Sequence, residues 1–294
     1  MWVYLNDRFV QKEHAHVSVF DHGFLYGDGV YETLRVYGGR VLLWKRHLAR
    51  LHRSCELIGL ELPIADDAWL PIFGELLARN TLQNAGLRVT ISRGEGELGI
   101  DPRLCARPTV VVMAKPLVEY TEPQREQGVT LHLASIRRNP ELAQSPQIKA
   151  ISFLNNILAK QEAARVGADD ALMLNMDREL TECTASNIFF VKHQCLYTPA
   201  VECGILQGVT RDMVMELAVE QEISVEEGRY RIEDLFQADE CFITNTGFEI
   251  MPVSKIGDCQ IGLGKAGPLT SALLRAFKAN MTQYLGPCLM SSNG

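Results

Sequence analysis

The strongest constraint on this chain is that its hydrophobic period changes repeatedly along its length. Short β-branched and aliphatic runs bounded by turn residues alternate with stretches that repeat near 3.6 residues. MWVYLNDRFV reads as strand–turn–strand with Asn6-Asp7 in the turn, and TLRVYGGRVLL as a hairpin around Gly38-Gly39. KRHLARLHRSCELIGL reads as an amphipathic helix with Leu48, Leu51, Cys55, Leu57 and Ile58 on its apolar side. A second helix is expected across 67–84, followed by strands LRVTIS and PTVVVMA. Pro116 and Pro123 then mark a linker. With 294 residues, more than one ordinary core holds, the expected division is a small α+β domain over 1–115, a linker over 116–124 and a larger domain over 125–294.

The larger domain opens with strand GVTLHLAS. A loop with Pro140 and Pro146 leads through QIKAISF into helix LNNILAKQEAARVG, stopped by Gly167. Strands ALMLN, ASNIFFVK and CLYTP, helix GVTRDMVMELAVEQE, the stretch ECFITNTGFEIMPVSKI and a helix over 269–283 complete it. The formal charge of -7 argues against nucleic acid or an anionic membrane as the main partner. No apolar run reaches the roughly 20 residues of a membrane helix, and MWVYLNDRFV lacks the layout of a secretory signal. The 8 cysteines fall at irregular intervals without C-x-x-C, so reduced thiols in a cytoplasmic protein are expected rather than a zinc or disulfide framework. His14, His16 and His22 have no metal-ligand spacing and read as surface or interface residues.

Four places carry possible chemistry. Gly208, Val209 and Thr210 open a helix, where amides and the positive dipole end attract an anion; taken alone this is an ordinary helix start. Thr244-Asn245-Thr246-Gly247 is a polar turn at a strand end. Lys149 sits among Ile148, Ala150, Ile151 and Phe153, where desolvation favours the neutral amine needed for Schiff-base chemistry; taken alone, it reads first as a lysine snorkelling from a strand end. Glu182 precedes an apolar strand, where a carboxylate can keep a heterocycle nitrogen protonated or simply face solvent.

Together these stretches match a known family. FLYGDGVYETLRVYGGR, HLARLHRS, VTISRGEGELGIDP, IKAISFLNNILAKQEA, LTECTASNIFFV, GILQGVTRD and NTGFEIMPV resemble the class IV aminotransferases of pyridoxal-phosphate (PLP) fold type IV. That group includes branched-chain aminotransferases, D-amino acid aminotransferases and aminodeoxychorismate lyases. The resemblance implies a two-domain α+β / α/β fold, with a small N-terminal domain and a larger, barrel-like PLP-binding domain with helices. It implies Lys149 as the Schiff-base lysine and proton shuttle, Glu182 as partner of the pyridine nitrogen and Arg50 as the phosphate-binding arginine. Val209, Thr210 and Thr246 complete the phosphate cup, and Leu206 packs on the cofactor ring. Tyr31, Arg35 and Arg88 line the substrate pocket, and Thr246-Gly247 offers amides to a carboxylate. The implied reaction is ping-pong transamination with pyridoxal 5'-phosphate, in a homodimer whose active sites lie at the domain junction beside the partner chain.

Within the family, GEGELGIDP and FLNNILAK are most similar to branched-chain enzymes. An arginine at 35 or 88 fits the distal carboxylate of glutamate, pointing to Leu, Ile or Val as donor and 2-oxoglutarate as acceptor. Two positions depart from that subgroup. Phe153 replaces a usual tyrosine, and Thr33 in E-T-L-R replaces a glycine at an expected pocket wall. VYETLR is also similar to D-amino acid transaminases and to the lyases, but 95–100 lacks the arginine and histidine of the D-enzymes' carboxylate trap. G-x-G-x-x-G occurs at 94–99 and 262–267. Neither sits in a strand–helix unit of dinucleotide-binding type, which leaves a nucleotide-binding module as the different-class alternative.

Overall fold

The computed structural model describes residues 1–289, in two compact units. The first comprises Met1–Leu117, the short segment Ile148–Ser152 and the described residues 282–289. It is built from β1 (Trp2–Leu5), β2 (Arg8–Gln11), α1 (His22–Tyr26), β3 (Gly29–Tyr37), β4 (Arg40–Leu42), α2 (Trp44–Leu57), α3 (Trp69–Arg79), β5 (Ala85–Ser92) and β6 (Thr109–Pro116). A strand at Leu285–Cys288 joins the sheet beside β4, and the order continues β4-β3-β5-β6-β1-β2. Both expected hairpins form. Asn6 and Asp7 take φ 42 and 64, and Gly38 and Gly39 take φ 53 and 72, the left-handed pairs that match the twist of two-residue hairpins.

The core of this unit lies between one sheet face and α2 and α3, where Leu34, Val36, Leu51, Trp69, Leu76, Leu87 and Val112 are buried. On α2 the buried positions are His47, Arg50, Leu51, Ser54 and Cys55, an i, i+3, i+4, i+7 face that is more than half polar. Leu57, expected on that side, is half exposed. The second helix spans only Trp69–Arg79, because the Asn80 side chain bonds Trp2 O and Leu76 O and Thr81 turns to φ 55. His22, expected at the surface or an interface, is buried within the chain at the start of α1, with Nε2 2.9 Å from Glu97 O.

The first unit's extra segment differs from a simple cut after 124. β4 pairs only with Val36 and Tyr37, which leaves the first half of β3 without a neighbour on that side. Ile148–Ser152 takes the place: Val30 bridges Ala150, Tyr31 N donates to Lys149 O and Ile151 N to Gly29 O. Unmet edge amides and carbonyls of β3 thus recruit a distant stretch of chain.

The second unit, Val118–Gln147 with Phe153–Met281, contains α4 (Glu122–Gln127), β7 (Val129–Arg137), α5 (Leu154–Arg165), β8 (Asp170–Leu174), β9 (Leu180–Cys183), β10 (Asn187–Lys192), β11 (Cys195–Pro199), α6 (Val209–Glu220), β12 (Val225–Gly228), α7 (Ile232–Phe236), β13 (Glu240–Asn245), β14 (Glu249–Ile256), β15 (Cys259–Gln260) and α8 (Pro268–Asn280). Its sheet order is β12-β11-β10-β13-β14-β7-β8-β9, with β15 beside β14. Because β9 also packs on β10 and β11, the sheet curls back on itself. Leu131, Leu172, Phe190, Ile243 and Val253 fill its inside. α4 begins within the stretch expected to be linker, where Thr121 and Gln124 form a capping box.

Candidate active site

In the first unit, strand alternation sorts the residues of β3. Glu32 and Leu34 point to the core face; Tyr31, Thr33 and Arg35 point to the other. Arg88 of β5 pairs opposite Thr33 and shares that second face. The three expected substrate residues, Tyr31, Arg35 and Arg88, are therefore brought together, with Thr33 between them. The Arg88 guanidinium lies 4.0 Å from the Tyr31 ring centre, and the Lys149 Nζ lies 4.6 Å from it. Arg35 is buried, with its guanidinium 4.8 Å from the ring of Tyr37. The Lys149 backbone is fixed twice, by Tyr31 N to its carbonyl and by its own amide to Ser54 Oγ at 3.2 Å.

On the core face, Arg50 is committed to a partner that the sequence reading did not single out. Its Nε and Nη2 donate to the two oxygens of Glu32 at 2.6 and 2.9 Å, and His47 Nδ1 lies 2.8 Å from Glu32 Oε2. Glu32 is 1% exposed. Burial alone would raise its pKa, but Arg50 and His47 outweigh burial and hold the carboxyl well below the usual range. An ionised carboxylate only accepts, so His47 Nδ1 carries the proton and Nε2 the lone pair. Burial also depresses His47, partly offset by Glu32 and reinforced by the positive charges of Arg50 and Lys149. The two bonds from Arg50 to Glu32 fix the plane of the guanidinium.

In the second unit, Glu182 is buried at the end of β9. Arg138 Nε and Nη2 lie 3.0 and 2.9 Å from Oε1, while Leu206 N donates to Oε2 at 3.0 Å and Asn187 Nδ2 at 3.3 Å. Each of these partners is a donor, two of them on a guanidinium, so the pocket stabilises the anion. Asn187 also donates to Leu206 O, and a Cβ on Gly208 would fall 2.0 Å from Asn187 Oδ1. Asn187 thus ties Glu182, Leu206 and the start of α6 into one piece. Among the described residues, no side chain caps α6 at Gly208. The helix opens on the buried Val209 and Thr210, leaving an amide-rich N-terminus suited to an anion.

Thr246 and Gly247 lie in the turn between β13 and β14. Asn245 Oδ1 accepts from Gly247 N at 2.8 Å and Phe248 N at 2.9 Å, so a substrate carboxylate would have to share the Gly247 amide. Phe153, Asn156, Thr184, Ala185, Asn245 and Phe248 line a cavity of about 470 Å³. Reasoning from sequence passed over Arg138, Asn187, His47 and Glu32. For Glu32, His47 and Arg50 a signal existed: two polar residues at i, i+3 on the buried side of a helix require a partner.

The second unit thus offers a donor set of a buried carboxylate ringed by hydrogen-bond donors and a helix N-terminus suited to an anion, and the first unit carries a lysine beside an aromatic ring. The model of the family "Amino-transferase class IV" matches residues 29–256. A putative branched-chain-amino-acid aminotransferase of Methanocaldococcus jannaschii is 40% identical over 284 residues, covering 97% of this chain and 98% of the relative. An aminodeoxychorismate lyase of Bacillus subtilis is 36% identical over 286 residues, covering 96% of each. The solved branched-chain amino acid aminotransferase of Escherichia coli superposes with a TM-score of 0.93 at 29% identity, over 98% of this chain and 99% of that one. Another solved branched-chain amino acid aminotransferase, in a structure with pyridoxamine 5'-phosphate, also superposes with a TM-score of 0.93. The fold is that of the fold type IV PLP enzymes. The chain belongs to the class IV aminotransferases, whose cofactor is pyridoxal 5'-phosphate.

Proposed function

We propose that this protein transfers the amino group of a branched-chain L-amino acid to 2-oxoglutarate, as a cytoplasmic homodimer. Lys149 is the amine that would bond the cofactor aldehyde carbon, whose oxygen leaves as water. Glu182, kept anionic by Arg138, holds the ring nitrogen protonated, and Leu206 packs on the ring. Arg50, oriented by Glu32, receives the phosphate together with the Val209 and Thr210 end of α6 and the Thr246 hydroxyl. When bound, the cofactor supplies an electron sink for the bond broken at the substrate Cα. Once displaced by the incoming amine, Lys149 Nζ would take the proton from the substrate Cα and deliver it to the cofactor C4′, across the intervening nitrogen.

The observation that carries the substrate assignment is the shared Tyr31 ring. Lys149 Nζ and the Arg88 guanidinium flank it at 4.6 and 4.0 Å, so the two cations are separated by no more than the sum of those distances. A five-carbon dicarboxylate spans that gap with its reacting carbon at Lys149 and its distal carboxylate on Arg88. With the arginine vacant of that partner, the Tyr31 and Thr33 wall accepts an aliphatic side chain. The 40% identical Methanocaldococcus relative supports the same choice.

The test is a half-reaction screen. Each L- and D-amino acid is added to the PLP form, and conversion to the aminated cofactor is followed by absorbance. Fast conversion by L-leucine, L-isoleucine and L-valine is expected; conversion confined to D-alanine or D-glutamate would refute the assignment. A second reading, release of pyruvate and 4-aminobenzoate from aminodeoxychorismate, draws on the Bacillus subtilis relative. Pyruvate formed from that substrate would favour it.

A further inference from the structure

Beneath the Thr246 turn lies a buried ion pair with no part in the donor set above. Arg125 of α4 is 7% exposed. Its Nη1 donates to Phe248 O at 3.0 Å and to Ile250 O at 2.9 Å, while Nη2 donates to Glu249 Oε2 at 2.9 Å. One guanidinium therefore grips three consecutive residues, beginning two after Thr246. Glu249 is itself in the left-handed region at φ 68, a conformation that a side chain adopts at a cost and glycine does not. Strain of this kind persists where surrounding bonds fix it. Here the fixing bonds need the carboxylate, which glycine lacks. α4 is also tightly seated on β14: Gly128, at φ 68, approaches so closely that a Cβ would fall 2.6 Å from Pro252 O. On the far side of the turn, Asn245 Nδ2 donates to Ala185 O at 3.2 Å, linking it to the loop that follows Glu182.

We infer that Arg125 and Glu249 form a positioning clamp that sets the height of Thr246 for the cofactor phosphate. The inference rests on the proposed role of Thr246 and goes beyond it, since neither clamp residue touches the cofactor. Bonds to a phosphate oxygen depend steeply on distance and angle, so a turn displaced by a fraction of an ångström loses phosphate affinity while the ring contacts stay. The clamp therefore acts on the ratio of affinities for pyridoxal phosphate and for pyridoxal, which lacks the phosphate. A residue that merely stabilises the fold changes both affinities together.

The experiment titrates the full-length chain, stripped of cofactor, with each vitamer and follows absorbance. Arg125→Met is expected to lower the phosphate preference about tenfold, equivalent to ~1.4 kcal/mol, with pyridoxal affinity unchanged. Arg125→Lys restores part of it. Glu249→Gly relieves the backbone strain but strands the Arg125 charge, so its melting temperature falls. Pyridoxal affinity, which the clamp does not touch, serves as the folding control, and the phosphate preference falls as in Arg125→Met. Equal loss for both vitamers, or an unchanged ratio in Glu249→Gly, would overturn the clamp. A wild-type chain that binds both vitamers equally would instead refute the phosphate cup itself, and the clamp with it.

Discussion

Substituting Glu32 by Gln probes the arrangement under Arg50 with little change of shape. The variant keeps the volume but replaces two charge-assisted bonds from Arg50 and one from His47 by weaker neutral ones, in a place where Glu32 is 1% and Arg50 6% exposed. Removing one partner of such a buried pair leaves the other charge uncompensated, at a cost of about 3–5 kcal/mol. At about 2–4 °C per kcal/mol for a unit of this size, the melting temperature falls on the order of 10 °C. The pH dependence follows from the directions of the shifts. Glu32 is depressed in the fold, so its stabilisation is complete above the unfolded value of about 4.3 and is lost as the pH falls below it. His47 is depressed as well, so its contribution is complete above about 6.5 and declines on acidification. Without Glu32, His47 loses the one attraction that opposes its depression. The gap between wild type and variant therefore widens from pH 7 to about 5 and narrows below about 4. Thermal unfolding of the cofactor-free protein across pH 3–8 reads this directly. The double variant Glu32→Gln, Arg50→Met, which also removes the stranded charge, should cost less than Glu32→Gln alone. A single variant within about 1 kcal/mol of wild type, or a gap that does not change with pH, would refute the reasoning.

Other expectations follow from the same geometry. Gly208→Ala places a methyl 2.0 Å from Asn187 Oδ1; moving Asn187 disturbs both Glu182 and α6, so affinity for pyridoxal phosphate should fall about tenfold or more by absorbance titration. Arg88→Met should raise the KM for 2-oxoglutarate by about tenfold or more, since a desolvated charge-assisted pair is worth roughly 1.5–3 kcal/mol, while the L-leucine half-reaction changes little; equal loss in both half-reactions would remove Arg88 from the distal carboxylate. Lys149→Ala should abolish transamination yet still bind the cofactor non-covalently, a distinction that equilibrium dialysis beside a turnover assay makes.

Much of the fold is readable where local rules suffice. Asn6-Asp7 and Gly38-Gly39 mark turns because only certain residues take positive φ readily. The edges of elements depend on distant partners. Helix α3 stops at Arg79 because Asn80 reaches across to Trp2. The strands VEEG at Val225–Gly228 and LGPC at Leu285–Cys288 carry almost no apolar pattern and exist through their pairing with β11 and β4. Segment 148–152 is legible as the place of a reactive lysine, but its membership of the first unit depends on the unfilled edge of β3, which no window of sequence around it contains. At the candidate site, the groups proposed to touch cofactor came from family-like words. The groups that hold them in place, Glu32, His47, Arg138 and Asn187, came only from distances, because a positioning partner can lie anywhere in the chain that folding brings near.

The central claim is that one particular amine joins the cofactor. Holoenzyme reduced with borohydride, digested and mapped by mass spectrometry tests it most directly. A single phosphopyridoxyl adduct on Lys149 is predicted. An adduct on any other lysine, or a chain that stays unmodified after incubation with pyridoxal 5'-phosphate and reduction, would contradict it.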